Sequence, residues 1–253
     1  ALVLPLVSEG ERLGVIGLWE RLKNKPQFRP QDRELGLTIA GHLSNVIRAD
    51  QAIGQLRADK ARAALINKVS SEIRQSLKEV DHIMGTLVSA LQEHFSLGLC
   101  AVSLYDQQVQ DFTKSKTAGD AIPETADSFA PTFGEQLFLV HLEELKNGQT
   151  IYLPHEELKK KLEGRNVEVP TAYKSATLLP LIHAGNFKAA LCMVSTARAN
   201  PFPDMDMKMV ADLADRVAVV VSHAELFQQV EKQAVTDAMT GLFNRRYFNE
   251  QLI

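Results

Sequence analysis

The chain has only two cysteines in 253 residues, Cys100 and Cys192. Each sits inside an apolar run, so the expectation is a pair of buried free thiols on strands, and a secreted disulfide framework is excluded. Charge of one sign is also missing. A formal net charge of -3 argues against broad electrostatic binding to nucleic acid or to an anionic membrane surface. No apolar run reaches the ~18 residues of a membrane span, and the opening Ala1-Leu2-Val3-Leu4-Pro5-Leu6 lacks the basic flank of a signal peptide. The expected location is therefore the cytoplasm. The seven histidines are scattered without HExxH or Cys/His spacing, which excludes a recognisable metal site. There is no G-x-S-x-G turn and no glycine-rich phosphate loop, so these residues imply no cofactor and no nucleophilic catalysis.

What is present is ordinary globular composition, 45% hydrophobic and 23% charged, with room for one large or two ordinary domains. An internal repeat divides it. Residues 5–56 lie over residues 180–230: Pro5-Leu6-Val7 on Pro180-Leu181-Ile182, Gly10 on Gly185, and Gly14 to Leu18 on Ala189 to Met193. Phe28 and Asp32 then meet Phe202 and Asp206, Ala40 meets Ala214, and Leu43, Val46 and Ile53 meet Val217, Val220 and Phe227. Each copy reads as strand, glycine turn, strand, proline-rich loop and long helix. Gly10 and Gly185 supply the positive φ a hairpin needs, and Asp32 and Asp206 stand where a helix N-terminus favours a carboxylate. So long a period indicates tandem domains and not a solenoid.

Upstream of the second copy, Ile66, Val69, Ile73, Leu77, Ile83, Leu87 and Leu91 give residues 65–95 a helical period, and residues 99–105 read as a strand. Val46, Ala49, Ile53, Leu56 and Ala63 have a/d spacing, and Val220, His223, Phe227, Val230 and Ala234 keep it after the second copy. Such a seam suits a parallel two-stranded coiled coil, with a helix packed on its own domain as the rival reading.

The repeated pattern P-L-x…G…G-x-x-x-L…F-x-x-x-D resembles the end of a GAF domain. That resemblance implies an α/β (α+β) fold: a GAF-type antiparallel sheet with flanking helices, in two copies with the first truncated, joined by long coiled-coil-like helices. It also implies a pocket for an unknown small-molecule ligand between sheet and cover. In the second copy the cover should come from residues 112–175, where Phe112, Phe129, Phe133, Phe138, Tyr152 and Tyr173 either line that pocket or form core. No cysteine lies between Cys100 and Cys192 to attach a bilin, and the cyclic-nucleotide pattern N-K…F-x3-D-E is broken by Arg33.

The last stretch, Thr236-Asp237-Ala238-Met239-Thr240-Gly241-Leu242-Phe243-Asn244-Arg245-Arg246-Tyr247-Phe248, resembles the opening of a GGDEF domain, T-D-x-L-T-G-L-x-N-R-R-x-F, with Met239 in place of Leu. By that resemblance Asp237, Thr240, Asn244, Arg245 and Arg246 are structural. The metal carboxylates and guanine contacts of such domains lie further on, so no catalytic residue and no cofactor are expected in this chain. Mg and GTP are implied for the parent's cyclase domain. The expected organisation is 1–50, the C-terminal part of a first GAF domain; 51–68, a helical linker; 69–222, a second GAF domain; 223–236, a signalling helix; and 237–253, the start of a truncated GGDEF domain. The implied function is sensory control of a diguanylate cyclase through the geometry of a parallel homodimer. The rival is a ligand-free dimerisation module, or a sensor on a degenerate nucleotide-binding GGDEF domain.

Overall fold

The computed structural model describes residues 1–19, 28–75, 80–119, 133–165, 167–197, 199, 202–236, 242 and 244. The chain divides into two compact units, Ala1–Ala63 and Ala64–Ile253.

The first unit holds β1 (Leu2–Ser8), β2 (Glu11–Leu18) and most of α1 (Pro30–Gln75). The strands form an antiparallel hairpin closed by Glu9 and Gly10, both with positive φ (49° and 85°), which gives the turn the right twist for two residues. Its core is small: Leu4, Leu6 and Ala40, with Leu2, Leu13, Ile16 and Ile47 packed against them. The helix starts as its residues dictate. Pro30 occupies the first turn, where its missing N–H costs nothing, and the Asp32 carboxylate accepts the Arg29 N–H at 2.8 Å.

The second unit is built on a five-stranded antiparallel sheet of order β4-β3-β7-β6-β5. Its strands are β3 (Leu99–Asp106), β4 (Asp111–Gly119), β5 (Ile151–Pro154), β6 (Ser175–His183) and β7 (Asn186–Ser195). One face packs against the end of α1, α2 (Val80–Phe95) and α6 (Asp204–Val235), around Leu65, Val69, Leu87, Leu91, Val102, Leu191, Leu213 and Val217. The other face carries α3 (Phe133–Val140), α4 (Leu142–Lys146) and α5 (His155–Leu162), around Leu137, Phe138, Leu145, Leu158, Leu178 and Cys192. Burial on both faces explains why β3, β6 and β7 read as nearly continuous apolar runs.

The two hairpins agree in detail. Ala184 and Gly185 close β6–β7 with positive φ (49° and 76°), as Glu9 and Gly10 close β1–β2. Each hairpin has its irregularity at the equivalent place, between Leu6 and Val7 and between Leu181 and Ile182. Asp206 stands three residues after Pro203 in the first turn of α6, as Asp32 stands after Arg29.

Two expectations need correction. The helical pattern over 65–95 is two helices: Ile66, Val69 and Ile73 end α1, Ile83, Leu87 and Leu91 belong to α2, and Leu77 lies outside the described residues. The cover expected from 112–175 is only partly cover. Phe112 stands on β4 and Tyr152 on β5, both edge strands of the sheet.

Candidate functional site

The layer between the sheet and α3–α5 brings most of the singled-out aromatics together. Phe133, at the start of α3, is 2% exposed and meets Tyr173 edge-on, with ring centroids 5.4 Å apart. Phe112 is half-buried and packs on Phe138 at 5.4 Å and on Tyr105 at 5.4 Å, and Tyr105 in turn meets Phe187 at 5.3 Å. Edge-on and tilted rings at these spacings are the favourable aromatic geometries, so these side chains satisfy one another as core. Tyr152 is elsewhere: its hydroxyl donates to the Ala199 carbonyl beyond β7. Phe129 lies outside the described residues.

Polar groups in this layer form two sets that the sequence did not expose. Ser103 on β3 and Ser115 on β4 share a hydrogen bond of 2.7 Å, and the Ser115 hydroxyl donates to the Glu135 carboxylate on α3. This line ties the outer two strands to the first turn of the covering helix. The second set surrounds His141, between α3 and α4 and only 3% exposed. Its Nδ1 lies 3.4 Å from Glu144 Oε1, while its Nε2 is buried with no hydrogen-bond partner among the described residues. The Tyr105 hydroxyl is likewise buried without a partner among them, and the Lys146 ammonium stands 4.9 Å from the Tyr105 ring centre. The Glu144 carboxyl is held below its usual value by its backbone N–H and then by His141. An unsatisfied buried polar atom costs stability, so His141 and Tyr105 are where a ligand's polar groups would compensate most. A polar residue inside the run Phe138-Leu139-Val140-His141-Leu142 is the signal that could have singled out His141.

Both cysteines are fully buried on strands, as expected, and both are free. Cys100 faces the α2–α6 layer and Cys192 the α3–α5 layer, so the sheet itself separates their sulfurs. Burial pushes the Cys192 thiol up to about 12 and raises Cys100 too, which leaves neither as a nucleophile. Among the described residues no cluster of His, Cys, Asp and Glu is placed to hold a metal ion, and no helix is long and apolar enough to cross a membrane.

Of the closing motif, only Leu242 and Asn244, besides Thr236, are described; Asp237, Thr240, Arg245 and Arg246 fall outside. Asn244 grips the end of α6. Its backbone N–H donates to the Val235 carbonyl and its side-chain amide to the Ala234 carbonyl, both at 2.8 Å. Those are carbonyls a helix C-terminus leaves unpaired. The coiled-coil seam is split by burial. Val46, Ile53 and Leu56 are exposed on α1, and Phe227 and Val230 on α6, but Val220 is 3% exposed and belongs to the domain's own core. At Val220 the rival reading is the correct one.

Comparison with known proteins places this architecture. The GAF domain family model matches residues 79–221, more than half of the chain. The match begins beside the first residue of α2 and ends at Val221, after which α6 turns exposed. The chain belongs to the GAF domain family. Among solved structures, the GAF domain of a Coxiella burnetii phosphoenolpyruvate-protein phosphotransferase matches with a TM-score of 0.51 at 15% identity, over 67% of this chain and 98% of that one. Free methionine-R-sulfoxide reductase from Neisseria meningitidis, in complex with its substrate, matches with a TM-score of 0.50 at 16% identity, over 68% and 93%. At such identities the likeness is one of fold. No protein of curated function matches the chain in sequence.

Proposed function

We propose that this chain is the sensory and regulatory region of a diguanylate cyclase, itself non-catalytic, which sets the activity of a C-terminal GGDEF domain through dimer geometry. The observation that carries the reading is α6. It is one helix from Asp204 to Val235, buried along Val210, Leu213, Val217 and Val221, partly exposed at Phe227 and Val230, and in sequence it leads into the Thr236–Phe248 motif. A rigid helix anchored at one end in a ligand-binding fold and at the other in an output domain converts a small shift in the first into reorientation of the second.

The incoming helix shares that anchor. Leu65 and Val69 of α1 lie in the same core as Val217 and Val221 of α6, and Arg216 donates to the Ser70 hydroxyl at 3.3 Å. The shared turn and irregularity of the two hairpins support reading the first unit as the end of a first GAF domain. On that reading its exposed Val3, Val7 and Val15 occupy the places of Leu178, Ile182 and Ala190, which pack in the α3–α5 layer of the second domain. Mg and GTP belong to the cyclase domain that follows, and no step of its chemistry is assigned to residues here. The packing of Phe112 on Phe138 and of Phe133 on Tyr173 favours one second reading, a dimerisation module that holds no ligand.

The test is the full-length protein with GTP and Mg. Formation of cyclic di-GMP, lost when Phe227→Asp and Val230→Asp together convert a dimer to a monomer, supports the reading. A full-length protein that makes no cyclic di-GMP sinks the cyclase. Unchanged mass in the double variant sinks the seam.

A further inference from the structure

The part of α1 that lies in the first unit has two unlike sides. Gly36, Ala40 and Ile47 pack toward the hairpin, and Arg48 donates to the Ser8 carbonyl at 2.9 Å and pairs with Glu9. Roughly 140° round the axis, at 3.6 residues per turn, runs a second stripe. Along it Leu35, Ile39, Val46, Ile53 and Leu56 are 47–68% exposed, and His42 and Ala49 are exposed between them.

This stripe is not built for water. It follows about 33 Å of helix, and between Leu35 and Leu56 the only charged residues are Arg48, which is engaged by the hairpin, and Asp50. A partner that recognises charge would find almost nothing to pair with. The spacing points instead to another helix of the same register. Ile39, Val46 and Ile53 fall at a, and Leu35, His42, Ala49 and Leu56 at d, until Lys60 takes the next a place. β-Branched residues at a with leucine at d favour two parallel strands, and such a stripe is complementary to a copy of itself.

His42 is the exception within it. It makes no hydrogen bond or ion pair among the described residues, and residues 38–46 contain no charged side chain. The nearest charges on α1, Glu34, Arg48 and Asp50, stand more than a turn away, and Glu9 of the hairpin is paired with Arg48. We infer that a second copy of the chain covers this stripe, α1 against α1 in parallel, and that His42 makes the contact sensitive to acid. This contact rests on the dimer reading above and adds to it a surface and a regulating group. Equivalent d positions meet in a parallel pair, so each His42 faces the other, between layers of Ile39 and Val46. Two neutral imidazoles can share a hydrogen bond there, one ring donating and the other accepting. Protonation sets two like charges face to face in an apolar seam with no carboxylate to offset them. The contact therefore holds near pH 8 and loosens as pH falls toward 5.

The experiment is sedimentation of the whole chain over a range of concentrations, near pH 8 and near pH 5. The dimer dissociation constant should weaken about tenfold or more at the lower pH. His42→Leu should remove most of that loss, and Ile53→Asp should weaken the dimer at both. Oxidation of Leu56→Cys, at a d position, should yield a disulfide-linked dimer, whereas Gln51→Cys, at f, should not. Cys100 and Cys192 are fully buried and stay silent. Circular dichroism confirms that each variant is folded. A His42→Leu chain that loses affinity with acid as the parent does overturns the proposal, and so does the absence of a cross-link at Leu56→Cys. A dimer that Phe227→Asp with Val230→Asp dissolves but Ile53→Asp leaves intact overturns it while keeping the α6 seam. A chain that stays monomeric up to about 1 mM overturns this contact, and cyclic di-GMP formation then decides the cyclase separately.

Discussion

At the scale of single residues, backbone conformation and burial make the sharpest demands. Gly119 ends β4 at φ +124°, and a Cβ there would stand 2.4 Å from the Gly98 carbonyl oxygen. Gly164 has φ +77° but open space around it. Gly119→Ala should therefore cost about 2 kcal/mol or more and Gly164→Ala about 1, read from urea midpoints. The thiols make a second demand, which appears with pH. Unfolded, Cys192 would ionise near 9.0, whereas burial holds it protonated to about 12 when folded. The folded state then binds more protons than the unfolded one across that window. Stability from this source is intact below pH 9 and falls as pH rises toward 12, by up to about 1.4 kcal/mol per pH unit for each thiol. Stability–pH profiles of Cys100→Ala/Cys192→Ala should have a shallower alkaline slope than the parent, whatever the packing cost of the substitutions. Equal slopes would show that the thiols ionise in the folded state.

At the scale of elements, α6 is one helix with two environments, buried to Val221 and exposed beyond it. Leu213→Ala, at a fully buried position, should cost about 2–5 kcal/mol, whereas Leu226→Ala, 59% exposed, should cost under about 0.5 kcal/mol in a monomer. A cost at Leu226 that grows with protein concentration would place it in an interface between copies. Asn244→Ala removes the amide from the Ala234 carbonyl, and the last turn of α6 should then exchange its amide protons faster while the buried half does not. The elements also show what a sequence can carry. The strand 99–105 and both hairpins were legible because a short bounded apolar run and a glycine at the turn are local signals, and the aspartates at the starts of α1 and α6 were legible for the same reason. The break between α1 and α2 was not, since no Gly or Pro stands between Gln75 and Val80, and the one glycine of residues 65–95, Gly85, lies inside α2. Heptad spacing could not decide Val220, because an apolar residue at an a/d position fits its own core as well as a partner helix. The candidate site was harder still. The line Ser103–Ser115–Glu135 joins residues from β3, β4 and α3, and such a meeting leaves no trace in spacing. Aromatic content singled out Phe133 and Tyr173, but it did not fix that their rings would turn against each other.

At the scale of the whole chain, the two units differ in how much apolar surface each can bury for itself. The second has two layers of core, one on each face of its sheet, with many side chains at 0% exposure. Among the described residues the first has three buried hydrophobic residues, Leu4 and Leu6 on the hairpin and Ala40 on the helix against it. Its exposed residues include Val3, Val15, Trp19, Leu35 and Val46, all at 60% or more. Hydrophobic burial near 25 cal/mol per Å2 must offset about 1–2 kcal/mol of backbone entropy per ordered residue, and a hairpin on one helix face has little to set against that. The first unit should therefore open at lower free energy than the second. Hydrogen exchange on the full chain should show β1 and β2 amides protected far less than those of β3, β6 and β7. Leu4→Ala should speed exchange in the hairpin while leaving the main thermal transition within about 1 °C, because that transition reports the larger core. A single cooperative transition that Leu4→Ala lowers by several degrees would mean that the hairpin's core is part of the main folding unit. Division into two units would then describe geometry and not energetics.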